Sequence, residues 1–247
     1  MYSRVNENSN QSSQESQVHD NHLVNLYQST NLIYESVQKY TMTSRERVAH
    51  LCYDIDYVVN AEISGAIVEC GVWRGGSIMA AILRLQSLGI DVRDIYLYDT
   101  FEGMTPPQDI DIDFRGDAAS KLLQQSDKYT SNVWAHCSFD DVHSNVGSVN
   151  SDLGRINFLK GKVEDNLEKH GPEQIALLRL DTYWYQSTYH ELNIFYPRLT
   201  KGGVLIVDDY GHWRGAKKAV DDYIANNSLK LFLVPIDYTG RIAVKVD

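Results

Sequence analysis

The sequence predicts an α/β fold, a mostly parallel sheet covered by helices and finished by an antiparallel hairpin. From Ala66 onward, short apolar β-rich runs alternate with segments of helical period, as buried parallel strands joined by helical crossovers require. The last two runs, 229–236 and 241–246, are separated only by Asp237-Tyr238-Thr239-Gly240, too few residues for a crossover. With 247 residues, 43% of them hydrophobic, the chain has apolar material for one sizeable core, so a single domain over 21–247 is expected.

Residues 1–20 are rich in Ser, Asn, Gln and Glu, cannot bury enough apolar surface to offset ordering entropy, and read as a disordered tail. Apolar residues return over 23–40 as an N-terminal helical extension. Thr43, with Glu46 three positions later, suggests a capping box ahead of the helical stripe Val48, Leu51, Cys52, Ile55, Val58 and Val59. Strands follow at 66–70, 95–98, 156–159, 175–180 and 204–207; with the hairpin they make a seven-stranded sheet. Helices are expected near 77–88 and 187–199. The polar stretch 105–132, with Pro106-Pro107 and Asp109, Asp111 and Asp113, is an insertion that reads equally as a lid and as a solvated loop.

Composition excludes several functions. A balance of 23 basic to 33 acidic residues, net charge -10, opposes binding to phosphate backbones and anionic membranes. Cys52, Cys70 and Cys137 have no metal-ligand spacing and suit a reducing, cytoplasmic setting. No basic leader precedes an apolar stretch, and no run approaches the roughly 18 apolar residues of a membrane helix.

The chemistry is expected at strand ends, where ligands sit in open α/β sheets. The first strand runs into Glu69-Cys70-Gly71-Val72-Trp73-Arg74-Gly75-Gly76-Ser77, a glycine turn that lets backbone approach a ligand. Its spacing departs from the dinucleotide pattern G-x-G-x-x-G, which disfavours a nicotinamide oxidoreductase. Arg74 reads either as a contact for a ligand carboxylate or as a surface arginine. Asp99 ends the second strand, placed for ribose hydroxyls, and Asp165 follows the third, near the base of a nucleoside. Asp181 and Asp208-Asp209 end the fourth and fifth strands. Three carboxylates on neighbouring tips repel unless neutralised, and hard oxygen ligands suit Mg²⁺ or another divalent ion; helix capping is the bland alternative. His212 lies within reach as a general base, or packs on Trp213.

The runs 65–76, 95–103 and 178–223 together resemble the macrocin O-methyltransferase family, with the resemblance extending from about Thr41 to the last residues. A parallel sheet finished by a hairpin also matches Rossmann-like class I methyltransferases. The resemblance implies S-adenosylmethionine as cofactor, Mg²⁺ assistance, homo-oligomerisation and a small-molecule hydroxyl acceptor, a sugar or other hydroxyl of a natural product. It implies that Glu69, Gly71 and Asp99 belong to the cofactor site, joined in our reading by Arg74, Gly75, Ser77 and Asp165, and that Asp181, Asp208 and Asp209 hold the metal. One departure stands out. The family motif L-D-T-D-W-Y-E-S-T reads Leu180-Asp181-Thr182-Tyr183-Trp184-Tyr185-Gln186-Ser187-Thr188 here, so Tyr183 occupies the position of the expected acidic base. Tyr183 or His212 must then replace that base, or the acceptor must need little, or the chain binds cofactor with weak turnover.

Overall fold

The computed structural model describes residues 28–91, 93–167 and 170–246; the tail expected over 1–20 lies outside them. Seven strands form one sheet in the order β3-β2-β1-β4-β5-β7-β6: β1 (Ala66–Cys70), β2 (Ile95–Asp99), β3 (Ile156–Lys160), β4 (Ile175–Leu180), β5 (Leu199–Val207), β6 (Val234–Pro235) and β7 (Arg241–Val244). The first five pair in parallel, whereas β7 runs antiparallel to both β5 and β6. The expected Rossmann-like sheet is therefore present. The hairpin is shorter than its sequence run: Pro235 has no amide to extend the ladder, and Phe232 points to solvent, which confines β6 to two residues at the edge.

Seven α-helices are bounded as α1 (Arg45–Asn60), α2 (Gly76–Ser87), α3 (Ala119–Gln124), α4 (Phe139–Val149), α5 (Val163–Asn166), α6 (Tyr185–Phe195) and α7 (Arg214–Asn226). Residues 28–37 are also helical, which agrees with the expected extension. The cap of α1 is corrected. Ser44 accepts a hydrogen bond from the Arg47 amide, while the Thr43 hydroxyl is paired with Thr41 Oγ1. The stripe on α1 otherwise points inward as predicted, with Val48, Leu51, Cys52, Ile55 and Val58 buried and Val59 half-buried.

Two apolar clusters sandwich the sheet. Alternation along each strand sends Ile67, Leu177, Val204 and Ile206 to the face covered by α1, α2 and α4, and Val68, Leu178 and Leu205 to the face covered by α6 and α7. A third cluster joins α3 and residues 104 and 133–134 to Trp184 and Trp213. The stretch 105–132 is thus docked: Ile112 and Asp113 pair with Ala118 and Trp213, and the Arg214 amide donates to the Ile112 carbonyl.

Candidate active site

The strand tips are level because the ladder continues one residue past each strand. The amides of Gly71, Asp181, Asp208 and Gly161 donate to the carbonyls of Tyr98, Cys70, Leu180 and Asp99. Period-two alternation then fixes a face. Glu69 follows Ile67, Arg179 and Asp181 follow Leu177, and Asp208 follows Ile206, so all four side chains project toward α1. Arg179 lies among them, buried, contacting Glu69 through Nη1 and Asp208 through Nη2; Nη2 also reaches Asp181 at 2.8 Å. From α1, Arg47 reaches Asp208 at 2.9 Å and Asp237, on the β6–β7 turn, at 3.0 Å. Burial works against both guanidinium charges, but the surrounding carboxylates outweigh it and hold their pKa values above the ordinary one.

Above these tips opens a cleft of about 320 Å³. Gly71, Ser77, Asp99, Asp181, Tyr183, Asp208, Asp209 and His212 line it, so eight of the twelve residues singled out from the sequence converge there. The other four do not line it. Glu69 is buried beneath the floor as the partner of Arg179. Arg74 is exposed, its guanidinium 4.6 Å from the Trp73 ring and donating to the Lys39 carbonyl. Gly75 caps α2 at φ 88 and faces Val146. Asp165 is exposed in the first turn of α5, and the cleft wall there is Gly161, Lys162, Val163 and Glu164.

Asp99 serves the fold and the cleft together. Its Oδ2 accepts the amides of Val72 (2.6 Å) and Trp73 (3.1 Å), its Oδ1 that of Phe101 (2.7 Å), and burial nonetheless holds its carboxyl above the ordinary range. The acid thus clamps the glycine loop in shape while facing the ligand space. Gly71, at φ 82, packs so closely that a Cβ would overlap the Asp181 carbonyl.

The charge argument for a metal changes at Asp208, whose Oδ2 is held by two guanidiniums. Among the described residues no three His, Cys, Asp or Glu side chains form a metal-holding group. Asp181 and Asp209 remain a pair. Burial, with the charges of Asp181 and Asp208, pushes the Asp209 carboxyl well up, and burial brings Asp181 up to about 6 despite Arg179. Both carboxyls are thus held above the ordinary range, and Asp209 Oδ2 is buried with no hydrogen-bond partner. Two hard carboxylates with an orphaned oxygen fit a divalent cation, whose charge would offset the burial of both.

Burial, then the charges of Asp181, Asp209 and Asp208, drive the Tyr183 phenol well above its ordinary value, which works against the part of base expected of it. It adopts φ 71, a left-handed conformation uncommon for a bulky residue, and stacks on Trp213 with ring centroids 5.8 Å apart. His212 differs. Burial lowers its pKa, and its Nδ1 lies 2.9 Å from Tyr238 Oη. In the tautomer donating Nδ1–H to Tyr238, Nε2 is free to take a proton.

Sequence reasoning missed Arg47, Arg179, the strap Tyr40–Thr43 and Thr239, whose hydroxyl donates to the Asp208 carbonyl at 2.7 Å. Arg179 carried a signal: an arginine inside the wholly buried run Ile175–Leu180 requires anionic partners.

The family model described as Macrocin-O-methyltransferase (TylF) matches residues 3–244. The chain is 31% identical over 205 residues to the demethyldecarbamoylnovobiocin O-methyltransferase of Streptomyces niveus, covering 81% of this chain and 74% of that one. It is 29% identical over 201 residues to the mycinamicin III 3''-O-methyltransferase of Micromonospora griseorubida, covering 81% and 76%. The solved O-methyltransferase NovP superposes with a TM-score of 0.72 at 28% identity, covering 84% of this chain and 83% of its own.

Proposed function

The chain belongs to the macrocin-O-methyltransferase family, and on that premise we propose that it transfers the methyl group of S-adenosylmethionine to a hydroxyl oxygen of a small molecule, with a divalent cation assisting. The names of its relatives favour a sugar or other hydroxyl of a natural product as acceptor. One observation carries the reading: the glycine turn at Gly71, the acid at the β2 tip and the Asp181–Asp209 pair all open into one cleft.

Gly71 lets backbone close on the cofactor, and Asp99 holds the loop while its remaining lone pairs take ribose hydroxyls. The amino end of α2, at Gly76 and Ser77, takes over the carboxylate contact expected of Arg74. Gly161–Glu164 would wall the base, replacing Asp165. The cofactor supplies an electrophilic methyl group, and a divalent cation, when bound by Asp181 and Asp209 with Asp208 beside them, makes a hydroxyl oxygen more acidic. Arg179 and Arg47 orient those carboxylates. His212 Nε2 is the site that receives the acceptor's proton.

Calorimetric titration with S-adenosylmethionine, with and without Mg²⁺, tests this reading. S-adenosylmethionine should bind, Mg²⁺ should strengthen acceptor turnover, and Asp209→Ala should abolish the Mg²⁺ response while cofactor binding persists. Stabilisation by NAD but not by S-adenosylmethionine in a thermal melt would overturn it. A second reading follows from the raised Tyr183 phenol: a protein that binds cofactor without turnover, recognised by binding with no S-adenosylhomocysteine formed across acceptors.

A further inference from the structure

Resting on the methyl-transfer reading, we infer that Glu191 is a positioning residue for the purine base of the cofactor, acting through the hydroxyl of Thr182.

Glu191 lies on the inward face of α6, wholly buried, and neither of its carboxyl oxygens has a hydrogen-bond partner among the described residues. Burial, and after it the like charges of Glu164 and Asp181, push its carboxyl well above the ordinary range. Its neighbours along α6, Leu192 and Phe195, belong to the apolar cluster on that face of the sheet, so an apolar side chain would serve packing better. A carboxyl left there points to a use other than packing.

What it meets is Thr182. Ser187 and Glu191, four apart on α6, share a buried face, and Ser187 Oγ donates to the Thr182 carbonyl at 3.4 Å. Helical side chains lean toward the amino end of their helix, which carries the Glu191 carboxyl toward Ser187 and Thr182. The Thr182 hydroxyl accordingly works against the rise in the Glu191 pKa, yet its own oxygen is buried without an aligned partner. Thr182 and Ser187 line the cleft, whereas Glu191 stands behind them.

This side of the cleft is the base end. Thr182 follows Asp181, so its side chain turns from the α1 face toward α6. Tyr98 and Gly161–Glu164 form the wall there; the Tyr98 ring packs against Phe195 of α6 with centroids 5.3 Å apart, and Glu164 is near enough for its charge to act on Glu191. A purine edge offers ring nitrogens that accept and an amine that donates. In its protonated form Glu191 donates to Thr182 Oγ1, which leaves the Thr182 O–H aimed at a ring nitrogen. One lone pair of the base then completes a chain of two hydrogen bonds and gives both unpartnered groups a use.

Calorimetric titration of the full chain with S-adenosylhomocysteine, adenosine and S-ribosylhomocysteine, which lacks the base, tests the inference. Thr182→Val and Glu191→Met should each raise the Kd for S-adenosylhomocysteine and for adenosine by about fivefold. The double substitution should cost no more than either alone, because both interrupt one chain. S-ribosylhomocysteine should bind the parent and the variants alike, and Glu191→Gln, which keeps a donor, should restore most of the affinity. The melting temperature of Glu191→Met without ligand should hold or rise, which a merely structural carboxyl would not allow. Additive losses, a loss shared by the ribosyl thioether, or a Glu191→Met chain that fails to fold overturns the inference. So does an unchanged affinity for S-adenosylhomocysteine, and an acceptor KM raised in its place would put Thr182 against the acceptor. A parent chain that binds adenosine through Thr182 and Glu191 but ignores S-adenosylmethionine sustains the base site and removes the methyl-transfer reading instead.

Discussion

At the scale of single residues, the strand-tip rule makes Asp99, Asp181, Asp208 and Asp209 legible from the order of amino acids alone. What it does not give is protonation. Asp181 and Asp209 look alike as letters, yet burial and the neighbouring carboxylates raise both and Asp209 the further. A pH dependence follows. The Asp181 carboxyl moves from an ordinary value near 3.9 up to about 6 in the folded chain. The native state thus holds the proton more tightly, so this group's contribution is greatest below about pH 4, is lost as pH rises through about 6, and then levels off. Thermal melts in chelator-containing buffer between about pH 4 and about pH 7 should show that decline, and Asp181→Asn should flatten it. Gly71 offers a second check. Gly71→Ala drives a methyl group into the Asp181 carbonyl at φ 82, so cofactor binding by calorimetry should be lost and the melting temperature should fall by several degrees, on the order of 2 kcal/mol or more.

Elements are legible where pattern and burial agree. Four of the parallel strands are short, apolar and sharply bounded and lie within a residue of their expected runs, whereas β5 begins at Leu199, five residues ahead of its expected start and where the preceding helix was expected to end. Helices α4 and α7 were not anticipated, although Ser138 caps α4 ahead of Asp140 and Asp141, and α7 carries the pairs Lys217–Asp221 and Lys218–Asp222. Both are amphipathic segments with exposed polar faces, and their apolar stripes are meaningful only against a sheet already in place. The stretch 105–132 is ambiguous for the same reason: its acids look solvent-seeking, yet Asp111 and Asp113 turn inward to cap the segment's own backbone. Asp111→Ala should release it, leaving the amides of Gln108 and Tyr185, both in part-buried hydrogen bonds, without their acceptor and costing about 0.5–1.5 kcal/mol. Hydrogen exchange should quicken at those amides and around 111–118 while the sheet stays protected.

At the scale of the molecule, the sheet is not held by apolar contact alone. Glu69, Arg179, Asp208, Arg47 and Asp237 form a chain of alternating charge from β1 across β4 and β5 to the β6–β7 turn. Arg179→Met would leave Glu69, Asp181 and Asp208 without their shared cation. Breaking a buried pair from one side costs about 3–5 kcal/mol, so the urea midpoint should drop sharply. The combined substitution with Glu69→Gln should recover part of the loss, since one uncompensated charge is then removed.

Asp237 gives this chain of charge a consequence in time. The turn that carries it also accepts from the Ser44 hydroxyl, 193 positions earlier. Such contacts close late, because the intervening polypeptide must first be ordered. Arg47 is thus made early in synthesis but is fully engaged only when the turn ahead of β7 has folded back onto α1. A nascent chain would acquire ligand affinity abruptly, at the release of that turn and not gradually with its length, and cofactor capture by ribosome-bound intermediates of increasing length should show a single late step.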